Sequence, residues 1–395
     1  MNHGIGSEVR KRISYFLLCF PLFISVDLSY ISPLLETSVN LWKVLSFIVC
    51  LYLFFSWIKL NKISIQFVLL CAALGILLVS TILNNGSIEQ FCVVWGGFAA
   101  VCMLTEVEIN KNRKRFIIAV CDVMTVLVLL NAISVLLFPE GIWKTRLEGY
   151  WIFGHRNNFG IPILASLVLT SLRDNAQNIK LSKRTILLCV AAAYSVVMTW
   201  SASSIVIIAI MIALVILFAL DTVPFVGKPA QWIIGYFVID FGIIFLNIQQ
   251  YIDSFIVNVL HRSASLTGRV QLWDIVMSKI PENPLIGHGI QLSKNNGLTA
   301  YNPNFVHAHN GELDILYTGG IALFLVYLGF ILILIKNVSR YFNIKDIRIA
   351  FFGLLLILVH AIQGLFFSSY SFLILFFLIN AHSFKQEDNQ VPEGK

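Results

Sequence analysis

The sequence predicts an all-α polytopic membrane protein: about 12 transmembrane helices, both termini cytoplasmic, and one large extracytoplasmic loop with short helices. Three observations predict it. First, the 395 residues are 58% hydrophobic and 12% charged, with a mean hydropathy of +0.82; soluble domains have roughly 45–50% apolar and about 25% charged residues. Second, the apolar residues lie in continuous runs near the ~20 residues that one bilayer crossing needs. Third, lysines and arginines gather in alternate loops. The first observation excludes a soluble globular enzyme. The second excludes a transmembrane barrel, whose strands alternate apolar and polar residues.

The runs lie near 13–32, 41–58, 65–83, 88–104, 116–138, 158–172, 186–202, 203–220, 230–248, 310–335, 349–367 and 370–382. The first follows Arg10, Lys11 and Arg12 and has no small-residue cleavage site after it, so a retained helix is expected rather than a signal peptide. The runs 186–202 and 203–220 are divided only by polarity around Ser201–Ser204. All seven cysteines fall inside apolar runs and read as small core residues, neither disulfides nor metal ligands.

Orientation follows from the positive residues. With the N-terminus in the cytoplasm, the inner loops hold 20 of the 28 lysines and arginines and the outer side holds 8. This bias also accounts for the net charge of +7, with no need for a nucleic-acid partner. The whole chain, 1–395, then reads as a single integral membrane domain, with an outer loop over 249–309, a shorter outer segment over 139–157 and a cytoplasmic tail over 383–395. Loops longer than ~15 residues in a compact protein are usually functional or disordered. The 249–309 loop carries Leu272, Trp273, Ile275, Val276, Ile280 and Leu285, so it is expected to fold as short helices.

Five of the eight histidines fall on this outer side: His155, His261, His288, His307 and His309. So do Arg146, Arg156, Arg262 and Arg269. Three polar segments begin helices there: Phe153–Gly160, with Arg156, Asn157 and Asn158; Ser201–Ser204, with Ser203; and His307–Glu312, with Asn310. Helix N-termini favour anions, so these starts and the arginines can converge on a phosphate or pyrophosphate. Ordinary capping is the alternative for the Ser and Asn residues. Arg269 and Trp273 are four apart and share a helix face. A guanidinium clamps phosphate, and an indole face can stack on a sugar or anchor at the interface. The turn around His288, between Gly287 and Gly289, lets backbone pass close to a ligand.

His309 is the best acid–base group, titrating near neutrality as an imidazole, with Glu312 three residues on to orient it. Asp314 points to another face. His288, His307 and His309 offer a three-imidazole zinc set, but no Cys ligand and no HExxH spacing accompany them, so no metal and no cofactor is expected. No nucleotide-binding glycine motif appears, so any group transfer must draw on energy already in the substrate. Asp27, Asp122, Asp240 and His360 are polar residues inside apolar runs, open to a buried pathway or to interhelix hydrogen bonds.

The order of these segments resembles a known family. A polar Gly/Asn segment precedes a middle helix, and a Ser-rich break divides two helices. A large outer loop follows with Gly268-Arg269, Trp273 and Pro284-Leu285-Ile286-Gly287-His288-Gly289. His309-Asn310-Gly311-Glu312 closes it, with Gly319-Gly320 downstream. This is similar to the O-antigen ligase and O-antigen polymerase superfamily, in particular polymerases of the Wzy type that build O-antigen or capsular polysaccharide. The resemblance implies a metal-independent glycosyltransferase of the bacterial inner membrane, active on the extracytoplasmic side. Its donor would be an oligosaccharide on undecaprenyl pyrophosphate. Arg269 would bind the pyrophosphate, His309 would activate the acceptor hydroxyl, and Arg156 would be a second phosphate contact. Relatives of the ligase type often carry arginine after the serine of the Ser-rich break; here Ser204 follows Ser203, which leaves a phosphate role for Ser203 open. A polymerase is therefore expected, with a ligase and a flippase of lipid-linked sugars as alternatives. The bilayer, a chain-length regulator and a flippase are the expected partners.

Overall fold

A computed structural model describes residues 12–24, 32–59, 63–144, 149–223, 227–246, 269–292, 297–299, 301 and 307–386. Arg146, His261, Arg262, Gly268, Lys294, Asp27 and the tail beyond residue 386 lie outside the described residues, as does the loop over 247–268.

Each apolar run coincides with a helix or a helical limb. In chain order these are α1 (Arg12–Phe23), α2 (Pro33–Ile58), α3 (Ile65–Leu83), α4 (Ile88–Leu137), α5 (Gly160–Ala176), α6 (Lys183–Met198), α7 (Ala202–Ala219) and α8 (Pro229–Phe245). The loop helix α9 (Arg269–Lys279) precedes α10 (Gly311–Tyr341), α11 (Lys345–Ala361) and α12 (Ser369–Ile379). By length and composition α2, α3, α4, α7 and α10 are long and apolar enough to cross a membrane.

Local chemistry explains the breaks. At 50 residues α4 would extend ~75 Å if straight, more than twice the ~30 Å hydrocarbon core of a bilayer. Asn112, at φ −155° and ψ 76°, divides it into two limbs. The Asn112 Oδ1 then accepts from the Arg115 N–H at 3.0 Å and caps the second limb. Between α6 and α7, Trp200 takes a positive φ of 53° and Ser201 an extended conformation, which ends one helix and starts the next.

Burial separates the layers. In α12 every residue from Ser371 to Ile379 is buried, as is every α5 residue from Pro162 to Leu172, so these two helices sit inside the bundle. A helix apolar all round belongs there. On α2 the opposite holds: Leu41, Leu45, Ile48, Tyr52 and Phe55 form an exposed stripe, with Tyr52 71% exposed. Apolar faces of this extent do not stay in water, and α7 and α8 carry similar ones through Val206, Ile210, Val238 and Phe241.

Polar contacts tie the helix ends into two groups. At one end, Gln66 and Asn380 both donate to the Glu106 carboxylate (2.9 and 2.8 Å), Arg12 and Arg184 share Asp122, and Lys345 pairs with Asp221 (2.7 Å). At the other, the Trp151 indole donates to the Phe138 carbonyl (2.8 Å), and the Phe153 N–H donates to Asn131 (3.1 Å). A small antiparallel sheet also lies at this second end: β1 (Trp143–Lys144), β2 (Gly149–Trp151) and β3 (Gly154–His155), in register Trp143↔Tyr150 and Tyr150↔His155. Stacked Trp143 and Tyr150 rings support it. The all-α expectation omits this sheet, because its strands are too short to carry a periodic signal.

The segment 284–290 holds the loop to the bundle. α10 breaks at Gly320, whose φ of 63° and ψ of −165° are open only to glycine. The segment runs through the break. Ile321 and Ala322 N–H donate to the Pro284 and Leu285 carbonyls (2.9 and 3.0 Å), while His288 and Gly289 N–H donate to the Tyr317 and Thr318 carbonyls (2.7 and 2.9 Å). Thus the backbone groups freed by the broken helix are satisfied by the passing strand. On its far side, Ile290 N–H donates to Thr81 Oγ1 and Asn84 donates to the Gly287 carbonyl, joining the end of α3 (both 3.0 Å).

Candidate active site

The second end of the bundle gathers His155, His307, His309 and Arg269 through five converging segments. Arg269 opens α9 and donates from Nη1 to Gln363 Oε1 at 3.2 Å, just past the end of α11. His360, on α11, donates from Nε2 to the Asn157 carbonyl at 3.2 Å. That bond places its proton on Nε2. Gly160 allows the approach, since a β-carbon there would lie 2.7 Å from His360 Nε2. Arg156 Nη1 reaches the Thr199 carbonyl at 3.5 Å, at the turn into α7. Asn310 donates to Asp240 Oδ1 on α8 (2.8 Å), and its own Oδ1 caps α10 through the Leu313 N–H (2.9 Å).

The segment before α10 displays two imidazoles side by side. The His307 and His309 rings have centroids 3.8 Å apart, and His307 Nδ1 accepts from the His309 N–H (3.1 Å). His309 is held at φ +50°, in the left-handed region that a β-carbon disfavours. It persists because neighbours fix both sides: the Ala308 N–H donates to Asp314 (3.1 Å), and Asn310 is pinned to Asp240. Backbone strain of this kind concentrates at functional sites.

Electrostatics keep both rings neutral. Burial pushes His307 down to about 4, with the Arg269 guanidinium adding to it. Burial pushes His309 down to about 2, helped in turn by His307, Arg269 and His155. His309 is therefore an uncharged imidazole at any physiological pH, and not a group titrating near neutrality as the sequence suggests. The same influences place Arg269, His155, His307 and His309 within one electrostatic neighbourhood.

Other expected site residues go elsewhere. Glu312 does not meet His309. Its Oε1 accepts from the Tyr236 and Tyr327 hydroxyls (2.7 and 3.0 Å), and the side chain faces α8 inside the bundle. The i, i+3 spacing places it on a neighbouring position, but His309 precedes the first helical turn and its left-handed backbone turns the ring away. Trp273 is 1% exposed, packed with Leu272, Val276, Leu298, Leu313 and Tyr317, so its ring fills the core of the loop rather than offering a stacking face. His288 donates to the Lys279 carbonyl (3.0 Å) and stacks on Tyr317, which makes it part of the threaded segment. The flanking glycines bring backbone close to α3 and α10: a β-carbon on Gly289 would meet Thr81 Cα at 2.6 Å. Asn157 and Asn158 are exposed at the rim, and Ser203 is half-buried in the first turn of α7, beside a Ser201–Ser204 hydrogen bond of 2.9 Å. Among the described residues no three His, Cys, Asp or Glu side chains are placed to hold a metal ion.

Sequence reasoning left two neighbours of Arg269 out of the site: His360 and Gln363. They carry no motif. Their only signal is a polar pair three apart at the end of an apolar run.

Residues 186–328 match the family model described as O-antigen ligase. The match runs from α6 to just past the middle of α10 and includes Arg269, His307 and His309. It supports membership of the O-antigen ligase and polymerase superfamily, the resemblance read from the sequence. No curated protein matches the chain.

Proposed function

We propose, from the O-antigen ligase match as premise, that this chain is a polysaccharide polymerase that joins oligosaccharide repeat units carried on undecaprenyl pyrophosphate at the outer face of a bacterial inner membrane. In this reading 1–395 is one membrane domain of twelve spans with cytoplasmic termini, α4 counting as two. The 249–309 loop is then extracytoplasmic. The 20 to 8 distribution of positive residues supports that orientation, because the two groups of helix ends divide the same way.

The observation that carries the reaction is the meeting of Arg269 with neutral His307 and His309. The acceptor hydroxyl oxygen attacks the anomeric carbon of the donor sugar. The bond from that carbon to the pyrophosphate oxygen breaks, and the lipid pyrophosphate leaves with the electron pair. The hydroxyl proton passes to His309. Arg269, steadied by Gln363, neutralises charge growing on the leaving group. Arg156 lies on the same rim as a second cation.

The depressed basicity of His309 fits this order of events. Without substrate, burial first, then His307 and the Arg269 guanidinium, keep the His309 imidazole neutral. Arrival of a diphosphate cancels that positive field and raises the affinity of His309 for a proton. The base therefore gains strength when the donor is bound, by the share of the depression that Arg269 contributes. No metal enters these steps.

The polymerase is preferred over a ligase because Ser204, and not arginine, follows Ser203. The description of the matching family keeps the ligase as the second reading, with lipid A core or a protein as acceptor. Deleting the gene and analysing the lipid-linked sugars separates these readings. Single repeats left on the lipid carrier support a polymerase. Finished polymer left on the lipid supports the ligase. Repeats trapped on the cytoplasmic face support a flippase and overturn both.

A further inference from the structure

We propose that the turn ending α11, residues 360–363, is a positioning bracket: His360 and Gln363 hold the Arg156 segment and Arg269 at one spacing, and so make the centre select a diphosphate over a monophosphate. This inference rests on the polymerase reading of the same site. The turn lies outside the matched residues 186–328.

One turn reaches three segments. His360 Nε2 donates to the Asn157 carbonyl (3.2 Å), the Ile362 carbonyl accepts from Asn310 Nδ2 (3.4 Å), and Gln363 Oε1 accepts from Arg269 Nη1 (3.2 Å). The segment before α5, the cap of α10 and the first residue of α9 therefore share one anchor. The turn itself is tight. The Gln363 N–H donates to the His360 carbonyl (3.1 Å), and the Gly364 N–H donates to the Ala361 carbonyl (3.2 Å). Bonds from one residue to the third before it bring side chains three apart onto the same side. His360 and Gln363 thus extend together from a fixed base.

Each contact fixes a cation indirectly. Asn157 is the middle residue of the short helical turn Arg156–Asn158, so holding its carbonyl holds the backbone that carries Arg156. A guanidinium is a rigid planar fork, so a bond to one nitrogen of Arg269 sets the direction of the whole group. His360 is 7% exposed, and its Nδ1 has no hydrogen-bond partner among the described residues. The ring therefore acts through a single N–H; its place needs a donor, not an acid or a base. Two cations held at one spacing meet two phosphate groups together, whereas a monophosphate engages only one of them.

The full chain in neutral-detergent micelles provides the test, with undecaprenyl pyrophosphate and undecaprenyl phosphate as binding probes. The unaltered chain is expected to prefer the pyrophosphate. Gln363→Met keeps the side-chain length and removes the acceptor. It should reduce that preference by about 10- to 100-fold, the range for one hydrogen bond to a charged group, without lowering the melting midpoint. His360→Leu should reduce the preference as well, and His360→Gln, which restores an N–H donor, should recover it. In an Arg269→Ala background Gln363→Met should cost nothing further, since it acts through that guanidinium. Should His360→Leu fail to fold, the Gln363→Met and Arg269→Ala pair decides alone. A preference that survives Gln363→Met, an equal loss in His360→Leu and His360→Gln, or additive losses in the Arg269→Ala background would overturn the bracket and leave the polymerase reading standing. An unaltered chain that binds neither probe would overturn that reading and the bracket together.

Discussion

His309 and Glu312 lie three residues apart and do different work. His309→Ala removes the proposed base, and the expected loss in turnover is 10²–10⁴-fold, the usual range for general base catalysis. Donor binding should persist, since Arg269 remains. Glu312 is a packing group in this structure, held by two tyrosine hydroxyls. Glu312→Gln keeps an acceptor oxygen for them and should leave most activity intact. Glu312→Ala strands two buried hydroxyls at about 1–3 kcal/mol each, which a thermal melt would register. If Glu312→Gln instead abolished turnover in a fully folded protein, a direct chemical role would return. The sequence makes the identities of the histidines and Arg269 plain, yet not their partners. Spacing shows which side chains share a helix face; it does not reveal that His309 sits before the helix begins, in a left-handed turn.

At the scale of elements, the contrast between Gly320 and Gly235 tests the threaded break. A β-carbon on Gly320 would stand 2.4 Å from the Leu285 carbonyl carbon, in a conformation closed to L-residues. Strain and overpacking, each about 1–3 kcal/mol, should combine in Gly320→Ala and lower the melting midpoint strongly. Gly235, in α8, has nothing within 4 Å of such a carbon. Gly235→Ala should be neutral or gain up to about 1 kcal/mol of helix propensity. Equal midpoints for the two variants would refute the account of the break. Helix positions were legible because apolar runs of bilayer length have few alternatives. The three-strand sheet and the threading were not. The strands are too short to carry a periodic signal, while the threading depends on pairing between segments distant in the chain, and a pair of glycines can as well mark a ligand loop as a crossing of backbones.

For the whole molecule, burial of neutral imidazoles makes stability depend on pH. His307 and His309 are depressed in the fold to about 4 and about 2, from an ordinary 6.5. The unfolded chain therefore binds more protons below pH 6.5, and stability is full above that value and declines as pH falls toward the folded values. The melting midpoint should drop between pH 7.5 and 5.5. A His307→Asn, His309→Asn double variant should show a shallower decline, and an unchanged slope would remove the two histidines from this account.

The strand through the broken helix also sets an order of assembly. Residues 284–290 are made before the helix that grips them, and the end of α3 long before both. Gln363, the partner of Arg269, comes later still, past the end of α11. A nascent chain arrested at Ala322 carries most of its apolar helices but neither His360 nor Gln363, so the contacts that these make with Asn157 and Arg269 form only after the rest of α10 and α11 have been made.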